Sequence, residues 1–153
     1  MDFDELWPLI GDWQHDVSSQ SLAIAAGLAM ARAHLQAGYD VVAAQFGVAQ
    51  RFFDAIDALV AETGSACREI VLTGSPERVV TRFRQRRAAR TLAGEIDVSA
   101  NIADDRVEEV IARATKELAS LAATRAHATV ISAEDDVDST YVRVLEALQR
   151  RSG

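Results

Sequence analysis

Apolar residues recur along this chain with two different periods, and the switches between them divide it into elements. From Ser18 or Ser19, either of which can cap a helix, Leu22, Ala25, Ala26, Ala29, Ala33 and Leu35 follow at helical intervals up to Gly38. The small side chains from Ala26 to Ala31 predict close packing of this helix, against a sheet. Residues 40–46 hold Val41, Val42 and two alanines between turn residues, the pattern of a short buried parallel strand. A second helix is predicted over 50–63, with Phe52, Phe53, Ile56, Leu59 and Val60 inward and Gly64 closing it. Residues 67–72 predict the next strand. Ser75-Pro76-Glu77 then marks a helix start, with a serine cap and proline at the first helical position. That helix carries Val79, Val80 and Phe83 inward and Arg78, Arg82, Arg84, Arg86 and Arg87 elsewhere. A polar stretch after Gly94 leads to a helix over 106–123, a strand over 128–132 and a helix from Asp136 to about Arg151. The first residues, 1–6, read as a strand end or loop, and 7–13 as a short helix or turn.

Strands that alternate with helices of ten to twenty residues predict an α/β fold, a parallel sheet covered on both faces. The chain of 153 residues fits one domain, 1–153, and no internal repeat is visible. Composition narrows the function classes. At 49% hydrophobic and 25% charged residues it is that of a soluble globular protein. A net charge of −7 argues against nucleic acid as the main partner, since a phosphate backbone needs clustered positive charge. A single cysteine, Cys67, fits a reducing cytoplasm, and its apolar neighbours suggest a structural thiol. No signal peptide or membrane span is expected, because Asp2, Asp4 and Glu5 stand where a basic leader would begin. The histidines at 15, 34 and 127 are scattered, so no metal site is predicted. Neither a Gly-x-Ser-x-Gly elbow nor a Gly-x-Gly-x-x-Gly loop occurs.

Several segments together carry a resemblance: Met-Asp-Phe-Asp-Glu-Leu-Trp (1–7), Ala-Arg-Ala-His-Leu-Gln-Ala-Gly-Tyr-Asp-Val-Val (31–42), Gln45-Phe46, Arg-Glu-Ile-Val-Leu (68–72) and Arg-Phe-Arg-Gln-Arg-Arg (82–87). The chain resembles bacterial P-loop small-molecule kinases. It is similar to the AAA-type ATP-binding proteins related to chloramphenicol phosphotransferase and to gluconate and shikimate kinases. The resemblance implies a three-layer P-loop NTPase-like sheet, ATP with Mg2+ as cofactors, and phosphoryl transfer from ATP to a small hydroxylated substrate. It also implies roles for particular residues. Asp4 would be the base that accepts the substrate's hydroxyl proton, with Asp2 and Gln45 on the substrate side. Arg82 and Arg86, four apart on one helical face, would neutralise the transferring phosphoryl group from a lid helix. The loop Ser132-Ala133-Glu134-Asp135 would pack on adenine through its backbone, with Ser132, Ala133 and Glu134 as the cofactor-binding residues.

The sequence departs from that family in one respect. Such kinases grip phosphate with Gly-x-x-x-x-Gly-Lys-Ser/Thr, and here Lys116, the sole lysine, lies far from any such place. The first strand, phosphate loop and first helix have no counterpart, so the fold is expected to be N-terminally truncated and inactive as it stands. Two explanations are open: a start assigned too late, which is favoured, or a truncated gene. A homodimer would be one way to cover the gap. The alternative function is a non-catalytic α/β ligand-binding or regulatory module with no turnover.

Overall fold

The computed structural model describes residues 1–10, 18–46, 50–125 and 127–149. The described residues form a mostly helical α/β structure with six α-helices and a two-stranded parallel sheet. The helices are α1 (Phe3–Leu6), α2 (Ser19–Gln36), α3 (Gln50–Thr63), α4 (Pro76–Ala93), α5 (Val107–Thr124) and α6 (Val137–Gln149). The strands are β1 (Ile70–Thr73) and β2 (Thr129–Ser132). Among the described residues no helix is long and apolar enough to cross a membrane. The chain divides into two compact units. Unit 1 comprises Met1–Ala66 and Arg87–Ala103, and unit 2 comprises Cys67–Arg86 and Asp104–Gly153.

Unit 1 is built on helix contacts. Phe3, Trp7, Phe52, Phe53 and Leu59 are buried, and the Phe3 and Phe52 rings meet edge to face at 5.2 Å. The buried face of α2 is Ser19, Ala23, Gly27 and Ala31, one residue per turn. Small side chains there do allow close approach, as expected, but the neighbours are α1, α3 and the 3-10 turn Trp7–Leu9 rather than a sheet. Ser18 stands at the helix start without a side-chain capping bond. Ser19 instead accepts a buried hydrogen bond of 2.6 Å from the Trp7 indole N–H. The later part of the 7–13 prediction, from Gly11 on, lies outside the described residues.

The strand expected over 40–46 is not formed as a regular element. What remains is an isolated parallel bridge between Asp2 and Ala44. The Ala44 N–H donates to the Met1 carbonyl at 2.9 Å, and the Met1 amino group donates to the Val42 carbonyl. A parallel strand is stable when both edges and both faces are covered. Here Val42 is exposed, so the local sequence preference has no ladder to join. Residues 3–6, expected to be a strand end or loop, form a helical turn capped by Asp2, whose carboxylate accepts from the Asp4 N–H at 3.0 Å.

Unit 2 holds the sheet. β1 and β2 run parallel with Ile70 opposite Thr129 and Thr73 opposite Ser132. Val71, Val80, Phe83, Val107, Ile111, Ala114, Ile131 and Ala133 are its buried apolar residues. Parallel strands need a crossover, which here runs through α4 and α5; α5 packs on β1, and α6, which follows β2, packs on β2. The helix start at Pro76 and the aspartate cap of α6 form as the sequence predicts, but the Ser75 hydroxyl expected to cap α4 donates to the Glu134 carboxylate instead. Asp136 accepts from the Ser139 backbone N–H at 2.9 Å and from its hydroxyl at 2.7 Å. Cys67, expected to be a structural thiol, is exposed, because β1 begins three residues after it.

Candidate functional site

In unit 2 the loops that leave β1 and β2 lie side by side, at the carboxyl ends of parallel strands. In open α/β sheets that is the edge where ligands bind. After β1 the chain passes through Gly74 and Ser75 into α4. After β2 it passes through Ala133, Glu134 and Asp135 into α6. The Ala133 N–H donates to the Thr73 carbonyl at 2.6 Å, which fixes the start of the second loop against the end of β1. The Glu134 carboxylate then reaches the start of α4. It accepts from the Ser75 backbone N–H and, at 3.4 Å, from the Ser75 hydroxyl. A helix N-terminus favours negative charge, which accounts for this contact.

Arginines of α4 close over the same loop. Arg82 Nη2 donates to the Asp135 carbonyl at 2.6 Å and Arg78 Nη2 to the same oxygen at 3.3 Å. Arg78 Nε also lies 4.0 Å from Glu134 Oε2. From α6, Arg143 pairs with the Asp135 carboxylate at 2.9 Å. Two carboxylates and three guanidiniums therefore stand around residues 134–135. Of the residues singled out from sequence, Arg82 and the segment Ser132, Ala133 and Glu134 come together here. Arg86 does not share their partner: its guanidinium lies 5.9 Å from the centre of the Phe83 ring.

Sequence reasoning named Arg78 with the lid helix and Asp135 with the loop without choosing either as a site residue, and it passed over Arg143 altogether. For Arg78 the signal was available, since it precedes Arg82 by four residues just as Arg86 follows it. Which of these neighbours meets the loop is decided by how α4 seats on the sheet through Val80 and Phe83.

Unit 1 holds the acidic group. Gln45 Nε2 donates to Asp4 Oδ1 at 3.3 Å and to the Phe46 carbonyl at 3.3 Å, while Gln45 Oε1 is buried without a hydrogen-bond partner. Asp4 is half-buried and Asp2 is exposed, engaged in capping α1. The structure thus brings Asp4 and Gln45, 41 residues apart in sequence, into contact.

Nucleotide fit is partial. The loop after β2 and the α4 arginines offer backbone and positive charge of the kind a phosphorylated ligand needs. A triphosphate cradle is not assembled from the described residues: Pro76 has no N–H, Glu134 occupies that of Ser75, and no glycine precedes a lysine. Among the described residues no group of three or more His, Cys, Asp or Glu could hold a metal ion. Mg2+ in phosphoryl-transfer sites does not require such a cage, because one or two carboxylates and the phosphates themselves complete its shell. No protein family, no curated protein and no solved structure matches the chain.

Proposed function

We propose that this chain is a P-loop kinase-family protein that binds ATP and belongs to phosphoryl transfer onto a small hydroxylated substrate. One observation carries the reading: Arg78 and Arg82 meet the loop 133–135 at the carboxyl ends of a parallel strand pair. The finer three-layer P-loop fold is part of the same proposal. In this reading Asp4 accepts the substrate hydroxyl proton, and Asp2 and Gln45 contact the substrate. Arg82 and Arg86 neutralise transferring phosphate, while Ser132, Ala133 and Glu134 bound the nucleotide. Mg2+, when bound with the nucleotide, would supply charge that offsets the phosphates. A cytoplasmic setting accompanies such a role. Without a phosphate loop in the sequence, nucleotide binding is expected to be weak and turnover absent.

The test is calorimetric titration of the chain with ATP and magnesium. Binding in the millimolar range or tighter, weakened at least fivefold by Arg82→Gln, is the expected result. No detectable heat at millimolar nucleotide would overturn the reading for this chain. Should transfer occur, Asp4→Asn is expected to abolish it and leave binding intact, and a loss of binding would remove Asp4 from the base role.

A second reading, a non-catalytic ligand-binding or regulatory module, is favoured by Glu134. Its carboxylate already occupies the start of α4. Glu134→Gln removes that charge, and tighter binding of inorganic phosphate with no detectable binding of ATP would favour this reading over the first.

A further inference from the structure

At the amino ends of β1 and β2, away from the loops described above, a carboxylate, a guanidinium and an imidazole meet. Glu69 immediately precedes β1, and Arg125 and His127 lie in the segment that leads from α5 into β2. Glu69 Oε2 accepts from Arg125 Nε at 2.6 Å and lies 3.2 Å from His127 Nε2. That same ring nitrogen lies 3.2 Å from Arg125 Nη2. The Glu69 and Arg125 side chains are only 12% and 9% exposed, whereas that of His127 is 58% exposed. Backbone bonds tie the group to the sheet. The Thr129 N–H donates to the Glu69 carbonyl at 2.9 Å, and the Ala128 N–H to the Arg125 carbonyl at 3.0 Å. Arg68, Glu69, Arg125 and His127 are the charged or titratable groups of these two segments, and of them Glu69 and Arg125 touch the ring. Among the described residues, α5 and α6, which pack on β1 and β2, add no hydrogen bond or ion pair to it.

His127 Nε2 therefore faces an acceptor and a donor at once. A ring nitrogen carries either a hydrogen or a lone pair, so it can satisfy one of them at a time. Glu69 Oε2 already takes a short charge-assisted bond from Arg125 Nε, which leaves a neutral ring better used as an acceptor for the guanidinium. A protonated ring has no free lone pair, so it must give up Arg125 and turn to Glu69. The carboxylate has a place for the displaced guanidinium, because Glu69 Oε1 is buried without a hydrogen-bond partner. We propose that His127 is a proton-operated selector in the fold: neutral, it accepts from Arg125; protonated, it takes Glu69 Oε2 and sends Arg125 to Oε1. Histidine is the side chain that ordinarily changes charge between about pH 5 and 8. The exposed ring exchanges its proton with water, while the consequence falls on a nearly buried ion pair. The contact that holds the entry of β2 against β1 is thereby rewired by pH with all three groups retained.

Nitrogen NMR of the isotope-labelled whole chain tests this. Above about pH 8 the His127 ring is expected to carry its hydrogen on Nδ1, the tautomer that leaves Nε2 as an acceptor. A hydrogen found on Nε2 there would overturn the proposal. As pH falls through the histidine range, the Arg125 Nε resonance is expected to shift in step with protonation of His127. A resonance that stays constant through that range would refute the selector. His127→Gln is expected to abolish the step, as is Glu69→Gln, which removes the second carboxylate oxygen. His34→Gln, on the exposed histidine of α2, is expected to leave it intact. A step that survives His127→Gln, or one lost in His34→Gln, would count against His127 as its source. The tautomer and the step in the unaltered chain decide the matter even if a substitution unfolds the protein.

Discussion

Gly27 sits on the buried stripe of α2 between Ala23 and Ala31, and a Cβ there would lie 2.5 Å from Phe3 Cε1 and 3.1 Å from Leu6 Cδ1. Alanine would gain about 1 kcal/mol in helix propensity, but pushing a buried ring held by Phe52 costs about 1–3 kcal/mol. Gly27→Ala is therefore expected to lose up to about 2 kcal/mol, read as a drop of several degrees in Tm. A second contrast concerns ion pairs. Glu69 and Arg125 are 2.6 Å apart with side chains only 12% and 9% exposed, and His127 joins the same carboxylate oxygen at 3.2 Å. Glu69→Ala leaves a buried guanidinium without its carboxylate and is expected to cost about 3 kcal/mol in urea unfolding. Glu62→Ala, which breaks the exposed pair with Arg32, is expected to cost less than about 1 kcal/mol. Asp136 gives a pH signature. Hydrogen bonds from the Ser139 N–H and hydroxyl hold its carboxyl below the ordinary carboxylate range. A depressed folded-state value means the cap's contribution is present above about pH 4 and is lost as pH falls through the lowered value. Carboxyl NMR titration should show Asp136 titrating below that point, and a value at or above it would count against the cap. This cap was legible in sequence, since an aspartate before a helix can satisfy its own first turn. The Trp7–Ser19 bond was not, because nothing local tells a capping serine from one buried against an indole.

At the level of elements, the helical periods were read closely. The second predicted helix coincides with α3, and Phe52, Phe53 and Leu59 are buried as their spacing implies. Those positions repeat at three- and four-residue intervals against a polar background, so one face is unambiguous. For α2 the reading named Leu22, Ala25, Ala29 and Ala33, whereas the buried residues are Ser19, Ala23, Gly27 and Ala31. An alanine-rich helix carries almost no contrast between faces, and the partner chooses. The strands show how far local pattern reaches. Residues 67–72 and 128–132 find each other and become β1 and β2. Residues 40–46 are equally apolar but gain a single bridge. Strand propensity is thus a statement about neighbours, which sequence spacing does not supply. Amide exchange should separate the two cases. Ala133 and the interior amides of β1 and β2 are expected to be protected, while 41–45 exchange orders of magnitude faster apart from Ala44, which donates to Met1. Uniform protection across 41–45 would show a formed strand there.

On the scale of the whole molecule, charge is partitioned. Unit 1 holds four basic and eleven acidic residues, and unit 2 holds twelve of each, so the entire net charge of −7 belongs to unit 1. Sequence reading found the basic cluster but treated the acidic excess as a property of the chain at large. The assignment to units became readable only when residues 87–103 were seen to pack with the first 66. The candidate residues were legible in part for the same reason. Arg82 and the 132–134 loop were chosen for their places at helix and strand ends, while Arg78 and Arg143 depended on helix seating. Exposure of Cys67 adds a simple check: it should react with a thiol reagent in the native state without unfolding, and complete protection would restore the structural reading. The register of the sheet has a further consequence, for biosynthesis. Ile70 pairs with Thr129, 59 residues downstream. At roughly 5–20 residues per second, β1 waits about 3–12 s on the ribosome before its partner is made. Through that interval Val71 and Leu72 are an unpaired apolar edge, the state in which chaperones bind and nascent chains aggregate. Unit 1 needs residues up to Ala103 before its own set is complete, so it can close while β1 is still waiting.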